Sequence, residues 1–170
     1  TRYGATKVDQ LVVVSGSCSP VTKAQIDHAV AHGFAAVELA TTELVQEKTA
    51  ATAIAHAIET GLAALAQGRS VILHTARGNT DPRLSQTTAI LQALGYSALD
   101  TKLHSAALLG TALGHILKSL LTQSHLRRAV VTGGDTSAYV ARYLGIEALE
   151  VVSPIAPGSP LCRIHASDTQ

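Results

Sequence analysis

The residues that could do chemistry lie in short polar loops that each follow a β-branched, apolar run. The first loop follows residues 11–14 and contains Ser15, Gly16, Ser17, Cys18 and Ser19. Hydroxyl groups and a glycine at the start of a helix are typical of an anion site, because backbone N–H groups and the helix dipole favour negative charge there. The loop also fits a tight turn with Ser19 as the helix N-cap. Both interpretations stay open for this loop on its own.

The second loop follows residues 129–132 and contains Gly133, Gly134, Asp135, Thr136 and Ser137. Capping of the next helix would explain one of the three polar residues, but it would not explain the glycine pair. Two glycines permit positive φ angles and a close approach of the backbone to a ligand. The loop therefore predicts a phosphate cradle of N–H groups, with Asp135 as a candidate ligand for Mg²⁺, either directly or through water.

The third loop follows residues 70–74 and contains Arg77, whose guanidinium could donate two parallel hydrogen bonds to a phosphate. A solvated loop arginine explains the same residue at least as well.

A cysteine hydrolase is a further hypothesis, because Cys18 stands at a helix start and His74 ends an apolar run. An inert small cysteine is favoured, since no acid that would orient His74 is apparent. The sequence has no P-loop, no dinucleotide fingerprint and no nucleophile elbow. Its histidines show no spacing that would bind a metal with cysteine or carboxylate partners.

The elements that must position these loops alternate between strands and helices. Short apolar runs predict five strands, at residues 11–14, 35–39, 70–74, 129–132 and 149–152. Helical patterns predict helices at residues 20–32, 46–66, 82–94, 104–123 and 136–144. We therefore expect one α/β domain over residues 1–170, a three-layer sandwich whose mostly parallel sheet of about five strands is covered by helices on both faces. Ligands of such sheets bind outside the carboxyl ends of the strands, where all three loops would lie.

Composition excludes several classes of function. Charged residues are 15% of the chain, the net charge is +1, and aromatic residues are only 3%. A basic nucleic-acid surface or a base-stacking platform is therefore not expected. Unbroken apolar runs are too short to cross a membrane, and the beginning of the chain does not resemble a signal peptide. Two cysteines give no disulfide framework, so a cytoplasmic setting is expected.

The loops together, in this order, resemble a known family. "LVVVSGSCSPVTKAQI" (11–26), "HTARGNTDPR" (74–83), "VVTGGDTSAYVARYLGI" (130–146) and "PIAPGSPLC" (154–162) are similar to motifs of the C-terminal nucleotide-binding domain of four-carbon acid sugar kinases. Some members of this family carry the label of Hrp-dependent type III effector. The pair "SGSCSPVT" and "GGDTS" is the specific part of the resemblance, which covers nearly the whole chain.

The resemblance implies a cytoplasmic, ATP-dependent kinase of carbohydrate metabolism that uses Mg²⁺. It implies transfer of the γ-phosphoryl group to the terminal hydroxyl of threonate, erythronate or a 3-oxo-tetronate. The implied nucleotide contacts are Ser15, Gly16, Ser17, Ser19, Arg77, Gly133, Gly134, Asp135, Thr136 and Gly158. The substrate domain, which precedes this domain in the family, and the glycine-rich end of the family are not in this sequence. We therefore expect the chain alone to be inactive, with the catalytic base unassigned and a homodimer left open.

A non-catalytic interaction module is the alternative hypothesis. The helix at residues 104–123 is apolar around most of its circumference, with Lys118 as its only formal charge. Such a helix must be buried, either within the domain or against a partner.

Overall fold

The computed structural model describes residues 7–167, which form an α/β fold. In chain order the elements are β1 (Val12–Ser15), α1 (Pro20–Ala31), β2 (Ala35–Glu38), α2 (Thr41–Leu44), α3 (Glu47–Ala66), β3 (Val71–His74), α4 (Pro82–Ala93), α5 (Ala98–Ser124), β4 (Ala129–Thr132), α6 (Gly134–Tyr143), β5 (Ile146–Ala156) and β6 (Ser159–Ala166). The first four strands and the helices between them lie close to their predicted positions.

Four strands form a parallel sheet in the order β2-β3-β1-β4. Their register aligns the last residue of each strand, so that Glu38, His74, Ser15 and Thr132 lie side by side at one edge. The loops that follow β1, β3 and β4 therefore begin at neighbouring positions, as the sequence predicted for the carboxyl ends of parallel strands.

Helices cover both faces of this sheet, which confirms the predicted fold class. Val12 and Val14 belong to the larger core cluster, which is formed with buried residues of α3, α5 and α6. Val13 points to the opposite face and packs with Ile26 of α1. The alternation follows from the two-residue repeat of a strand, and Val12, Val13 and Val14 are all apolar because both faces of β1 are covered.

The long apolar helix α5 is buried within the domain. Leu113, Ile116, Leu117 and Leu120 are at most 1% exposed and belong to the larger core cluster. Of the described helices, α3 and α5 are long and apolar enough to cross a membrane by length and composition. Both supply buried residues to this core, and the core helices of a folded domain commonly meet that criterion.

The fifth predicted strand does not join the parallel sheet. Residues 149–152 lie in β5, which among the described strands pairs with β6 in a separate antiparallel hairpin, and residues 154–160 form the end of that hairpin. Leu149, Val151 and Ile164 are 45–65% exposed. An apolar run alone does not show whether both faces of a strand are covered, and here they are not.

Candidate ligand-binding site

A cavity of about 350 Å³ lies at the carboxyl edge of the parallel sheet. It is lined by residues of the loops after β1 and β3, by the first turn of α6, and by α4 and α5. Its lining residues are Gly16, Cys18, Thr75, Leu84, Thr87, Thr88, Ala98, Thr101, Lys102, Ser105, Ala106, Leu109, Gly110, Asp135 and Thr136. The volume is within the range of small-molecule sites.

The loops after β1 and β4 cross at this cavity and are locked together. The Gly16 amide donates a hydrogen bond of 3.0 Å to the carbonyl oxygen of Thr132. A Cβ atom at Gly16 would lie 1.7 Å from Oγ1 of Thr136, so no larger residue fits without displacing the second loop. Gly133 has a φ of +117°, and a Cβ there would lie 3.3 Å from the backbone of Gly16 and Ser17. Gly16 is therefore required by the packing of the Thr136 side chain, and Gly133 by its positive φ and the nearby backbone of the first loop.

The N-terminus of α6 opens at the same place without a side-chain cap. Its N-cap residue is Gly133, and none of the three polar residues that follow caps the helix. Ser137 instead donates from Oγ to the Gly133 carbonyl oxygen at 2.7 Å, and Thr136 is buried. The first-turn amides of α6 consequently have no side-chain cap from residues 7–167, and helix N-termini with free N–H groups favour anions.

The hydroxyl groups of the first loop have different partners. Ser19 is the N-cap of α1, and its Oγ accepts a hydrogen bond of 3.0 Å from the Thr22 amide, as predicted for a capping serine. Ser17 Oγ lies 2.8 Å from Oγ1 of Thr22. Ser15 is fully buried, and its Oγ has no hydrogen-bond partner among the described residues. From this loop it is Gly16 and Cys18 that line the cavity.

The third loop directs its charges toward the protein. The Arg77 guanidinium contacts Asp27 of α1 at 2.7 Å, and Arg77 is not among the residues that line the cavity. Asp81, the N-cap of α4, binds Arg83 at 2.6 Å, and the Arg83 guanidinium holds the pKa of that carboxyl well below its usual range. Arg83 also donates to the carbonyl oxygens of Leu39 and His74, which joins β2 and β3 to α4.

The cysteine-hydrolase hypothesis finds no support in this geometry. His74 is fully buried, and its Nδ1 lies 3.1 Å from the Arg83 guanidinium. Burial lowers the pKa of His74, and the nearby Arg83 charge lowers it further. Cys18 is exposed at the cavity, and within residues 7–167 it has no hydrogen bond to His74.

The wall contributed by α5 was not found from the sequence. Thr101, Lys102 and Ser105 line the cavity from the first turns of this helix, which begins at residue 98 instead of the predicted residue 104. Thr101 is 4% exposed, and its Oγ1 has no hydrogen-bond partner among the described residues. The available signal was helical spacing: Lys102 lies seven residues before Leu109 and eleven before Leu113, on the face that packs the core.

Asp135 is the single carboxylate among the residues that line the cavity. The described part of the chain contains no cluster of three or more candidate metal ligands. The donor set therefore fits Mg²⁺ only in the manner in which one carboxylate binds the ion and ligand phosphates and water complete its coordination. Gly158 lies away from this set, in the exposed turn of the β5–β6 hairpin with a φ of +73°.

Comparison with known proteins places the chain in a family. Residues 12–170 match the family of nucleotide-binding C-terminal domains. The chain is 40% identical over 164 residues to 3-oxo-isoapionate kinase of Paraburkholderia graminis, covering 96% of this chain and 34% of that protein. It is 30% identical over 151 residues to D-threonate kinase of Salmonella typhimurium, covering 88% of this chain and 34% of that protein. The chain thus spans about a third of the length of these relatives.

Solved structures show the same fold. A chain from Salmonella typhimurium LT2 superposes with a TM-score of 0.64 at 24% identity, over 95% of this chain and 35% of that one. A domain of unknown function from Bordetella bronchiseptica gives a TM-score of 0.63 at 18% identity, over 92% of this chain and 33% of that one. Together with the family match, these similarities show that the chain belongs to the family of nucleotide-binding C-terminal domains of four-carbon acid sugar kinases.

Proposed function

We propose that this domain binds Mg-ATP for a kinase that phosphorylates a four-carbon sugar acid on its terminal hydroxyl. The observation that carries the proposal is the N-terminus of α6, which has no side-chain cap and whose residues Asp135 and Thr136 line the cavity together with Gly16. The first-turn amides of α6 are therefore available to a ligand at the cavity, and such geometry suits phosphate oxygens.

In the proposed complex the first-turn amides of α6 bind the phosphate chain. Gly134 leaves open space in front of them, since no atom lies within 4 Å of a Cβ placed there. Asp135 and the phosphates together would hold Mg²⁺, which neutralises negative charge during transfer. Phosphoryl transfer depends mainly on positioning and charge stabilisation, so the domain needs no nucleophile of its own.

The acceptor and the catalytic base belong to our proposal for the whole protein, of which this chain would be one part. Relatives that the chain matches are named as 3-oxo-isoapionate, D-threonate and 3-oxo-tetronate kinases. We therefore propose threonate, erythronate or a 3-oxo-tetronate as the class of acceptor, bound by a separate substrate domain that also supplies the base. The two free cysteines fit a reducing, cytoplasmic setting.

The test is a calorimetric titration of Mg-ATP into this chain and into its Gly134→Val variant. Gly134 has room for a side chain in the ligand-free fold, so the variant should keep the thermal stability of the parent. The proposal predicts saturable binding to the parent and loss of binding in the variant, because the valine occupies space in front of the amides. A folded parent chain that fails to bind Mg-ATP, or equal binding by the variant, would contradict the proposal.

A further inference from the structure

The α5 wall of the cavity carries polar groups that the fold itself does not use. Lys102 and Asp135 are the charged residues among those that line the cavity, and they come from α5 and α6, two helices that pack against each other at Gly110 and Gly114. Within residues 7–167, neither residue forms an ion pair with another side chain. The arginines of the neighbouring third loop, in contrast, are both paired with aspartates.

Lys102 stands on the helix face that elsewhere builds the core. Counting along α5, Lys102, Leu109, Leu113, Ile116 and Leu120 follow one another at spacings of seven, four, three and four residues, which keeps them on one face. Leu113, Ile116 and Leu120 are fully buried against the sheet. The face continues past the edge of the sheet, so the lysine lies over the cavity where the strands have ended.

Thr101 supplies an independent sign of a missing partner. Thr101 is only 4% exposed and lines the cavity, and its hydroxyl has no hydrogen-bond partner among the described residues. An unsatisfied buried hydroxyl is unfavourable, and a ligand oxygen or N–H group that reached it would remove this cost. Ser105, one turn further along α5, adds a second hydroxyl to the same wall.

We infer that Lys102 and Thr101 bind phosphate oxygens of the same ligand that the amides of α6 bind. The inference rests on the proposed function and extends it, because it assigns the α5 residues that line the cavity to the binding of the same polyphosphate chain. An ammonium group suits this task as a point charge that tolerates several phosphate geometries. Lys102 and the α6 N-terminus together give the cavity two sources of positive potential for the phosphates.

The test uses inorganic tripolyphosphate without Mg²⁺, followed by backbone NMR shifts of the whole chain. Lys102→Gln should weaken binding roughly tenfold, the loss expected for one hydrogen bond to a charged group. Lys118→Gln is the matched control, since it removes the same charge from the same helix at a position that lines a different surface depression. Thr101→Val should weaken binding about threefold without lowering the melting temperature, because it removes an unpartnered hydroxyl.

The outcomes separate this inference from the proposed function. Tripolyphosphate binding that depends on Lys102 but not on Lys118 supports the inference, even if Mg-ATP itself fails to bind and the proposed function falls. Mg-ATP binding that is lost in Gly134→Val but unchanged in Lys102→Gln overturns the inference and leaves the proposed function standing. Absence of tripolyphosphate binding, or shifts at Lys102 produced by erythronate but not by tripolyphosphate, also overturns it.

Discussion

The carboxyl edge of the parallel sheet has two halves that differ in whether their polar groups find partners within the protein. In the half after β3, Asp81 binds Arg83, and Arg77 binds Asp27, so the charges are satisfied within the protein. In the half after β1 and β4, two glycines cross, the amides of α6 lack a cap, and Asp135 has no ion-pair partner among the described residues. The difference fits our proposal, in which the residues after β3 hold the fold together and the residues after β1 and β4 receive the ligand.

The largest effect on stability is expected at Arg83. Its guanidinium is 14% exposed and joins Asp81 to the carbonyl oxygens at the ends of β2 and β3. Arg83→Ala leaves a nearly buried carboxylate without its counter-charge, and we expect a loss of about 3 kcal/mol in the free energy of unfolding. Chemical denaturation measures this loss.

Arg77→Ala is the control for that substitution. The Arg77–Asp27 pair is 35% and 37% exposed, and exposed pairs contribute little, so the loss should stay below about 0.5 kcal/mol. Equal losses for the two arginines would contradict the distinction between a buried structural pair and a solvated one.

Gly16→Ala should lower the free energy of unfolding by about 2 kcal/mol. A Cβ atom at this position would overlap Oγ1 of Thr136, so the loop after β4 must move, and overpacking of this kind typically costs 1–3 kcal/mol. Gly134→Ala is the matched control, because a Cβ there meets no atom within 4 Å. Thermal unfolding of both variants is the measurement, and similar melting temperatures would disprove the locked crossing of the loops.

Lowering the pH should reduce the free energy of unfolding through His74. Burial and Arg83 lower the pKa of His74 below 6.5, while Glu38 and Asp81 oppose this shift and Arg77 adds to it. Below pH 6.5 the unfolded chain therefore binds a proton that the folded chain does not. The free energy of unfolding should fall as pH drops from 6.5 toward the folded pKa, by at most about 1.4 kcal/mol per pH unit from this group.

His74→Gln should flatten the pH dependence of stability between pH 7 and pH 5. His56→Gln, which changes an exposed histidine of α3, should leave the dependence as it is in the parent chain. Denaturation curves at several pH values give the comparison. A parent chain whose stability rises as pH falls through this window would refute the assignment of a buried neutral histidine.

Asp135→Asn should have the smallest effect on the fold and a selective effect on the ligand. Asp135 is exposed in the first turn of α6, so its loss should cost no more than about 0.5 kcal/mol of stability. Affinity for ATP should become insensitive to Mg²⁺ in the variant, whereas Asp9→Asn, at another exposed aspartate, should keep the sensitivity of the parent. Titrations with and without Mg²⁺ decide between these outcomes, and unchanged Mg²⁺ sensitivity in Asp135→Asn would remove this residue from the metal site.

Much of the fold could be predicted because strand and helix periodicities are local. The runs that form β1, β3 and β4 are apolar on both faces, and the polar residues that follow them mark one edge of the sheet. The run at residues 149–152 is also rich in leucine and valine, with Glu150 among them, yet it forms part of an exposed hairpin. Whether a strand is covered depends on the packing of distant segments, which a local pattern does not contain.

The candidate site was predictable on its loop side and not on its helix side. Glycine pairs after strands are visible in the sequence, and the structure places Gly16, Asp135 and Thr136 together in the cavity. Arg77, by contrast, was predicted as a candidate phosphate ligand, and its pairing with Asp27 depends on a proximity in three dimensions that the sequence does not contain. Lys102 was missed because the predicted helix began at residue 104, after the turn that overhangs the cavity.

Alkylation of Cys18 in the presence of Mg-ATP tests most directly whether the cavity beside the loops after β1 and β4 binds the nucleotide. Cys18 is exposed and lines the cavity, whereas Cys162 lies in the β5–β6 hairpin and serves as an internal reference. With free nucleotide at ten times its Kd, the rate of iodoacetamide labelling should fall roughly tenfold at Cys18 and stay constant at Cys162, as measured by mass spectrometry. Labelling of Cys18 at an unchanged rate under saturating Mg-ATP would show that the nucleotide does not occupy this cavity.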